Sequence, residues 1–211
     1  MPCASHAVYL VLRERRLTID RLPGSMNRMD KHTFRLASFG VRVGTRLEGK
    51  IAREKLLTAL ETLSEPGRLA ISLDGIEVLS GSFADEAVAL SYARLITGEY
   101  GDRYMIVRSP VLEITEDLSS KLERRRMAML CSSNDGWDVL GLLGTQMKET
   151  LGLVIDRRET TAKELASLLG IRHNACLRRV GRLAELRLIR REEVGLAGPH
   201  HSYRFFSILN P

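Results

Sequence analysis

The sequence is poor in cysteine, and its three cysteines form no recognisable pattern. Cys3, Cys131 and Cys176 are far apart in the chain and odd in number. Structural zinc sites and disulfide frameworks need closely spaced or paired cysteines, so the sequence predicts neither of them. A reducing compartment fits this usage best, and we expect a cytoplasmic protein.

Long apolar runs are also absent from the sequence. The early run AVYLVL is much shorter than the roughly 18 residues that a membrane helix needs. It also lacks the basic start that is expected of a signal peptide. We therefore expect no contact with a membrane.

Motifs for catalysis and for cofactor binding are missing as well. There is no Walker-type phosphate loop, and Gly40, Gly44 and Gly49 lack the strand-turn-helix context that such a loop needs. No local motif suggests a carboxylate pair or a Ser/His/Asp set. His200 and His201 are adjacent, so in a ribbon they would point to opposite faces and would not share a metal ion. The sequence predicts a binding protein without a cofactor or metal, and not an enzyme.

The overall composition is that of a soluble globular protein with a basic balance. The chain has 211 residues, of which 44% are hydrophobic and 27% are charged. That length is sufficient for two small domains with separate cores. The net charge of +6 favours an acidic partner, but it does not distinguish nucleic acid from an acidic protein.

The stretch from Thr160 to Phe206 has the layout of a winged helix-turn-helix. Thr160 or Thr161 can cap a first helix with an apolar face, and Gly170 suits a left-handed position at its end. A second helix follows, and then two strand-like runs joined by a tip rich in Gly, Pro and His. The sequence predicts an α+β domain of this type at residues 137–211.

The second helix of that domain carries the residues that favour DNA binding. An apolar stripe of Ile171, Leu177, Val180 and Ala184 predicts its buried face. The opposite face has Asn174, Arg178 and Arg182 at four-residue spacing, and Asn and Arg are the side chains that pair bidentately with adenine and guanine. The complete set of predicted DNA contacts is His173, Asn174, Arg178, Arg179, Arg182, Arg190, Arg191, His200, His201 and Arg204. The alternatives are a solvated helix face and a protein-docking module.

Residues 31–131 alternate between strand and helix patterns. Thr45 and Glu48 form a capping box ahead of a helix, and the RLAISL run beginning at Arg68 predicts a strand. In the next strand, RYMIVR, Met105 and Val107 point one way, and Tyr104 and Ile106 point the other way. Ser82 and Asp85 predict a second capping box. This pattern predicts an α/β domain, with helices packed on a small mixed sheet.

The run from Asp74 to Leu90, DGIEVLSGSFADEAVAL, resembles the signature of the STAS-like family of unassigned function. That family is similar to the STAS domains of anti-sigma-factor antagonists. Its G-x-R-x-x-G stretch at the first helix is matched by Gly44, Arg46 and Gly49. The resemblance implies a STAS-like fold and a protein partner, such as an ATPase of the histidine-kinase-like superfamily.

The resemblance also points to a modification site. The antagonists carry D-S-S-G at the corresponding loop, and a partner kinase phosphorylates the first serine. Here Leu79 stands in the place of the aspartate, and Ser80 in the place of the phosphorylated serine. Phosphate at Ser80 or Ser82 would gain from the amides at a helix start. The alternative is that Ser82 is a helix cap and Ser80 an ordinary loop residue.

Two further segments complete the predicted organisation. Residues 1–30 are a leader, which is either a misassigned start ahead of Met26 or Met29, or a short element docked on the next domain. Residues 132–136 are polar and turn-prone, and they predict a linker. Trp137 is then expected to begin an amphipathic helix.

Taken together, these patterns predict a DNA-binding regulatory protein, in which a STAS-like domain docks or senses a partner. The function predicted for it is transcription regulation. The alternative is a protein-interaction adaptor, or an antagonist-like switch, without DNA binding. Winged-helix proteins often pair to read two half-sites of double-stranded DNA, and a homodimer is compatible with this sequence.

Overall fold

The structure, a computed structural model, describes residues 29–194 and 202–209. Its strands are β1 (Asp30–Arg35), β2 (Arg42–Val43), β3 (Gly67–Ser72), β4 (Val78–Leu79), β5 (Arg103–Arg108), β6 (Ala128–Ser133), β7 (Gly136–Gly141), β8 (Glu159–Thr161), β9 (Ile189–Val194) and β10 (Ser202–Ser207). Its α-helices are α1 (Arg46–Glu61), α2 (Gly81–Ala84), α3 (Leu90–Ile96), α4 (Glu116–Arg124), α5 (Thr145–Arg157), α6 (Ala162–Leu169) and α7 (His173–Glu185), and a π-helical segment at Asp85–Ala89 joins α2 to α3. None of the helices in the described ranges is long and apolar enough to span a bilayer.

A mixed five-stranded sheet organises the first half of the chain. Its strand order is β1-β3-β5-β6-β7, and β1, β3, β5 and β6 are parallel. The last strand, β7, is antiparallel to β6. The α/β class that the alternating pattern predicts is therefore present.

Successive residues of the central strands face opposite sides of this sheet. The side that we call the first face carries Met105 and Val107 of β5, and the second face carries Tyr104 and Ile106, as the sequence predicted. All four side chains are buried. Because a strand with two buried faces needs cover on both sides, this sheet must be packed between two layers.

Helices of the first half cover the first face. The core there contains Leu56 and Leu60 of α1, Phe83 of α2, and Leu118 and Leu122 of α4. The capping box predicted at the start of α1 is confirmed. The amide of Glu48 donates to Thr45 Oγ1 over 3.1 Å, and the amide of Thr45 donates to Glu48 Oε2 over 3.0 Å.

A glycine allows α1 to lie close to the π-helical segment. A Cβ atom on Gly49 would come within 2.9 Å of Glu86 Cβ and 3.1 Å of the carbonyl oxygen of Phe83. At this contact Arg53 Nη1 donates to Glu86 Oε1 over 2.7 Å. The buried carboxylate of Glu86 is therefore paired across the helix interface.

The second face of the sheet is covered by the C-terminal part of the chain, residues 145–209, which we call the C-terminal unit. Tyr104 and Ile106 belong to one core with Leu151 of α5, Val180 of α7 and Phe205 of β10. The core of the second face is thus shared between the main sheet and the C-terminal unit. The C-terminal unit covers much of the second face of the sheet, which α1 to α4 do not cover.

Two side chains, Tyr92 and Arg68, make long-range hydrogen bonds that fix the C-terminal unit to the rest of the chain. The hydroxyl of Tyr92 donates to the carbonyl oxygen of Leu186 over 2.6 Å. Arg68 Nη1 donates to the carbonyl oxygens of Ile208 and Leu209, both over 2.6 Å. Tyr92 thus holds the end of α7, and Arg68 holds the end of the described chain.

The linker predicted at residues 132–136 is not present. Ser133 and Gly136 are paired across a two-residue turn of Asn134 and Asp135, so this segment joins β6 and β7 into a hairpin. Trp137 consequently lies in a strand, and the next helix begins at Thr145. A polar, turn-prone stretch between two apolar runs is also the pattern of a hairpin loop, and here the hairpin is formed.

The leader predicted at residues 1–30 falls almost entirely outside the described residues. Asp30, its last residue, is the first residue of β1 and pairs with Gly67 of β3. Met29 is buried in the core of the second face. The first domain therefore begins before Lys31.

The bond from Tyr92 to Leu186 gives a stability prediction. Tyr92→Phe leaves a buried carbonyl without its donor, so we expect the free energy of unfolding to fall by about 1–2 kcal/mol in urea denaturation. The control is Tyr100→Phe, because Tyr100 is also buried but its hydroxyl makes no hydrogen bond within the described ranges. Equal losses in the two variants would contradict the role of this bond.

Candidate nucleic-acid interface

Local signals in the sequence build the helix-turn-helix pair of the C-terminal unit. Thr161, not Thr160, caps α6, and it forms a capping box with Glu164. The backbone amide of Thr161 donates to Glu164 over 2.8 Å, which lowers the pKa of that carboxyl. Gly170 ends α6 in the left-handed conformation at φ 63° and ψ 29°, as predicted.

The two helices lie in the chain between β8, which precedes α6, and β9 and β10, which follow α7; these strands form a three-stranded antiparallel sheet with the order β8-β10-β9. The predicted helix, turn, helix and two-stranded ribbon are therefore all present as elements. We call β9 and β10 the ribbon. Its tip, which includes His200 and His201, lies outside the described residues, so the predicted contacts of these two histidines stay predictions.

The buried face of α7 is formed by Cys176, Val180 and Leu183. Leu177, which the sequence assigned to this face, is 39% exposed. Cys176 takes its place because positions 176, 180 and 183 follow the helical repeat along one side. Desolvation raises the pKa of the Cys176 thiol, so the thiol acts as an apolar side chain of the core.

Asn174, Arg178 and Arg182 lie on the exposed side of α7, in the row that the sequence predicted. Arg178 makes no hydrogen bond or ion pair with any described residue. Arg182 forms an ion pair with Glu185 over 3.1 Å, and both of these side chains are more than half exposed. Surface pairs of this kind contribute little stability, so Arg182 can exchange its partner at low cost.

His173 and Arg172 are also exposed, at the start of α7. Arg172 is the N-cap residue of the helix, and its side chain makes no capping hydrogen bond. The sequence analysis did not select Arg172. Its position directly before the polar face of the helix is the signal that would have identified it.

Arg179 was predicted to flank the DNA-reading face, but it is turned toward α5. Its guanidinium donates to Gln146 Oε1 over 3.1 Å and to Thr150 Oγ1 over 3.4 Å. Its side chain is only 18% exposed. These bonds hold α7 against α5, so Arg179 has a packing role in the structure.

Arg190, which was predicted to contact the DNA backbone, is buried in the ribbon. Its side chain is 7% exposed and is paired with Glu192 over 2.9 Å. Its guanidinium lies 4.2 Å from the ring centre of Phe206, which is directly opposite on β10. Both contacts stabilise the ribbon and keep the charge away from solvent.

Two other arginines of the ribbon remain exposed. Arg191 lies over the ring of Tyr203, with 4.9 Å between its guanidinium and the ring centre. Arg204 forms an ion pair with Glu159 of β8, and both side chains are about half exposed. Each cation is therefore held at the surface of the three-stranded sheet.

The two candidate phosphorylation sites lie at the start of α2, far along the chain from these cations. Ser80, not Ser82, is the N-cap residue. Its hydroxyl donates to the carbonyl oxygen of Gly44 over 2.5 Å and accepts from the amide of Phe83 over 3.3 Å. Ser82 is exposed within α2, and Asp85, its expected capping partner, is bound by Arg125 instead.

The comparisons with known proteins give little. No family model matches this chain, and no curated protein matches it significantly. Among solved structures, the crystal structure of ScpB from Mycobacterium tuberculosis is 17% identical, over 78% of this chain and 92% of that chain. Its TM-score of 0.24 is too low for us to infer fold or function from it.

The different positions of Arg178 and Arg179 give a second stability prediction. Arg179→Ala removes the bonds to α5, so we expect the free energy of unfolding to fall by about 1 kcal/mol. Arg178→Ala removes an exposed side chain and should change it by less than about 0.5 kcal/mol. Urea denaturation of both variants measures this difference. Similar values for the two variants would show that Arg179 does not fix the helix.

Proposed function

We propose that the C-terminal unit is a winged helix-turn-helix that binds double-stranded DNA, with α7 in the major groove. The observation that carries this proposal is the exposed row of Asn174, Arg178 and Arg182 opposite a fully buried face. An α-helix with its side chains is about 10–12 Å in diameter and fits the major groove, which is about 12 Å wide; the step from Asn174 to Arg182 extends about 12 Å along the helix. The row can therefore contact several successive base pairs.

The chemistry of these side chains supports reading of bases. An amide pairs with the N6 and N7 atoms of adenine, and a guanidinium pairs with the O6 and N7 atoms of guanine. Arg178 has its donors available for such a contact because it makes no bond within the described chain. Asn174 is equally exposed, one helical turn closer to the amino end.

The ribbon supplies contacts of a different kind. Arg191 and Arg204 lie on adjacent strands but on opposite faces of the ribbon, because Arg191 pairs with Phe205 and Arg204 pairs with Glu192. Each is exposed and can approach a phosphate from its own face. Arg204 would exchange its exposed pair with Glu159 for a phosphate, and this exchange costs little. Such contacts position a protein on DNA without reading its sequence.

The regulatory part of the proposal concerns the first half of the chain. Val41, directly before β2, and Val78 of β4 are exposed, and these two strands pair with each other next to Ser80. Exposed apolar side chains beside the stretch that resembles the STAS-like signature are suited to contact a protein partner. We propose a cytoplasmic transcription regulator that docks such a partner and is not an enzyme.

Arg178 provides the test of base reading. We expect Arg178→Ala to reduce the preference for sequences selected from a random duplex library by about 10- to 100-fold, as measured by fluorescence anisotropy. Arg124→Ala is the matched control, because Arg124 is an exposed arginine of α4, on the other side of the main sheet. If the wild-type chain selects no sequence, or if both variants lose preference equally, base reading by α7 is excluded.

Arg191 provides a separate test of phosphate contact. We expect Arg191→Ala to weaken binding to selected and random duplexes by the same factor. The slope of log affinity against log salt concentration should become smaller by about 0.9, because one phosphate fewer is neutralised. An unchanged slope would remove Arg191 from the interface.

A further inference from the structure

The residues that the structure describes do not cover the second face of the main sheet along its whole length. A cleft of about 370 Å³ remains on it, between β1, β3, β5 and the β6–β7 hairpin. Ala70 and Ile106, which pair across β3 and β5, belong to its lining. Leu209, the last described residue of the C-terminal unit, also lines the cleft.

Cationic side chains dominate the lining of this cleft. Lys31, Arg68 and Arg108 come from three neighbouring strands, and no Asp or Glu is among the lining residues. Three like charges on one face repel each other, and an anion between them would relieve this repulsion. The cleft is therefore complementary to negative charge.

Among these three cations, Arg68 has the most unusual surroundings. Its described hydrogen bonds go to the carbonyl oxygens of Ile208 and Leu209, and not to a carboxylate. Its Nε atom is shielded from solvent and has no partner in the described part of the chain. Partial burial lowers the pKa of Arg68. A half-buried cation whose described partners are backbone carbonyl groups is stabilised by an anionic ligand.

Arg108 adds a more accessible cation on the neighbouring strand. Its side chain is 56% exposed, and its one ion pair within the described residues is with Asp74, which lies 3.3 Å away and is 52% exposed. A weak surface pair of this kind is easily exchanged for a phosphate, to which a guanidinium can donate two hydrogen bonds. Arg108 can thus bind an anion without a large loss of stability.

The remaining lining is suited to a flat, partly polar molecule. Trp137 lines the cleft, and its six-membered ring lies beside Gly152 of α5. Ser132, opposite Trp137 in the hairpin, and Thr33 add hydroxyl groups. A volume of 370 Å³ is within the range of small-molecule sites and is far larger than an inorganic phosphate ion needs.

We propose that this cleft binds a small phosphorylated molecule with a flat ring, of the size of a nucleoside monophosphate. Arg68 and Arg108 bind the phosphate, and the ring lies against Ile106 and Trp137. The site is separate from the exposed face of α7, so this inference does not depend on DNA binding.

Trp137 provides a direct measurement because it is the only tryptophan of the chain. We expect a saturable change of its fluorescence when the full-length protein is titrated with the four nucleoside monophosphates, with a dissociation constant below about 1 mM for at least one of them. The unphosphorylated nucleoside and inorganic phosphate should each bind at least about ten-fold more weakly, because each provides only part of the contacts.

Two matched variants test the assigned residues. Arg108→Gln should weaken binding of that nucleotide by about ten-fold, because it removes a charged donor from the cleft. Arg124→Gln removes the same charge from the exposed side of α4, and it should leave binding unchanged. Circular dichroism would establish that both variants are folded. Arg178→Ala should also leave nucleotide binding unchanged, so a failure of DNA binding and a failure of this site can be distinguished.

Three results would overturn the proposal. One is the absence of a saturable response to any of the four nucleotides. Another is equal affinity for the nucleotide and for either of its parts, which would exclude recognition of phosphate and ring together. The third is an equal effect of Arg108→Gln and Arg124→Gln, which would indicate attraction by net charge alone.

Discussion

The burial of both faces of the main sheet is the constraint on which the rest of the structure depends. In β5, Met105 and Val107 face one core, and Tyr104 and Ile106 face the other. Helices from the first half of the chain can cover only one of these faces. The C-terminal unit covers most of the other, and the arrangement is thus one sheet between two layers.

This packing determines which arginines remain available on the C-terminal unit. Because α7 buries Cys176, Val180 and Leu183 in the core shared with the sheet, the opposite side of the helix faces outward. Arg178 lies on that side. Arg179 instead packs against α5, and Arg190 packs against Phe206. Neighbouring arginines of one basic segment therefore have different roles.

Structural features that depend on residues close together in the sequence were predictable, and features that depend on contacts between distant residues were not. The capping box of Thr45 with Glu48 and the left-handed Gly170 were both predicted correctly, because their geometry is set within four residues. The turn at Asn134 and Asp135 was identified as turn-prone, but a linker and a hairpin loop share that composition. The burial of Arg190 depends on Phe206, a strand away, and nothing in its own neighbourhood indicates it.

The position of β7 has a consequence for how the chain can be divided. This strand completes the sheet by pairing with β6, yet it leads directly into the C-terminal unit through α5. A truncation on either side of it would leave apolar sheet surface exposed to water, and a truncation before it would also leave β6 with an unpaired edge. Such pieces are prone to aggregation, so the two halves are expected to be made, folded and degraded together.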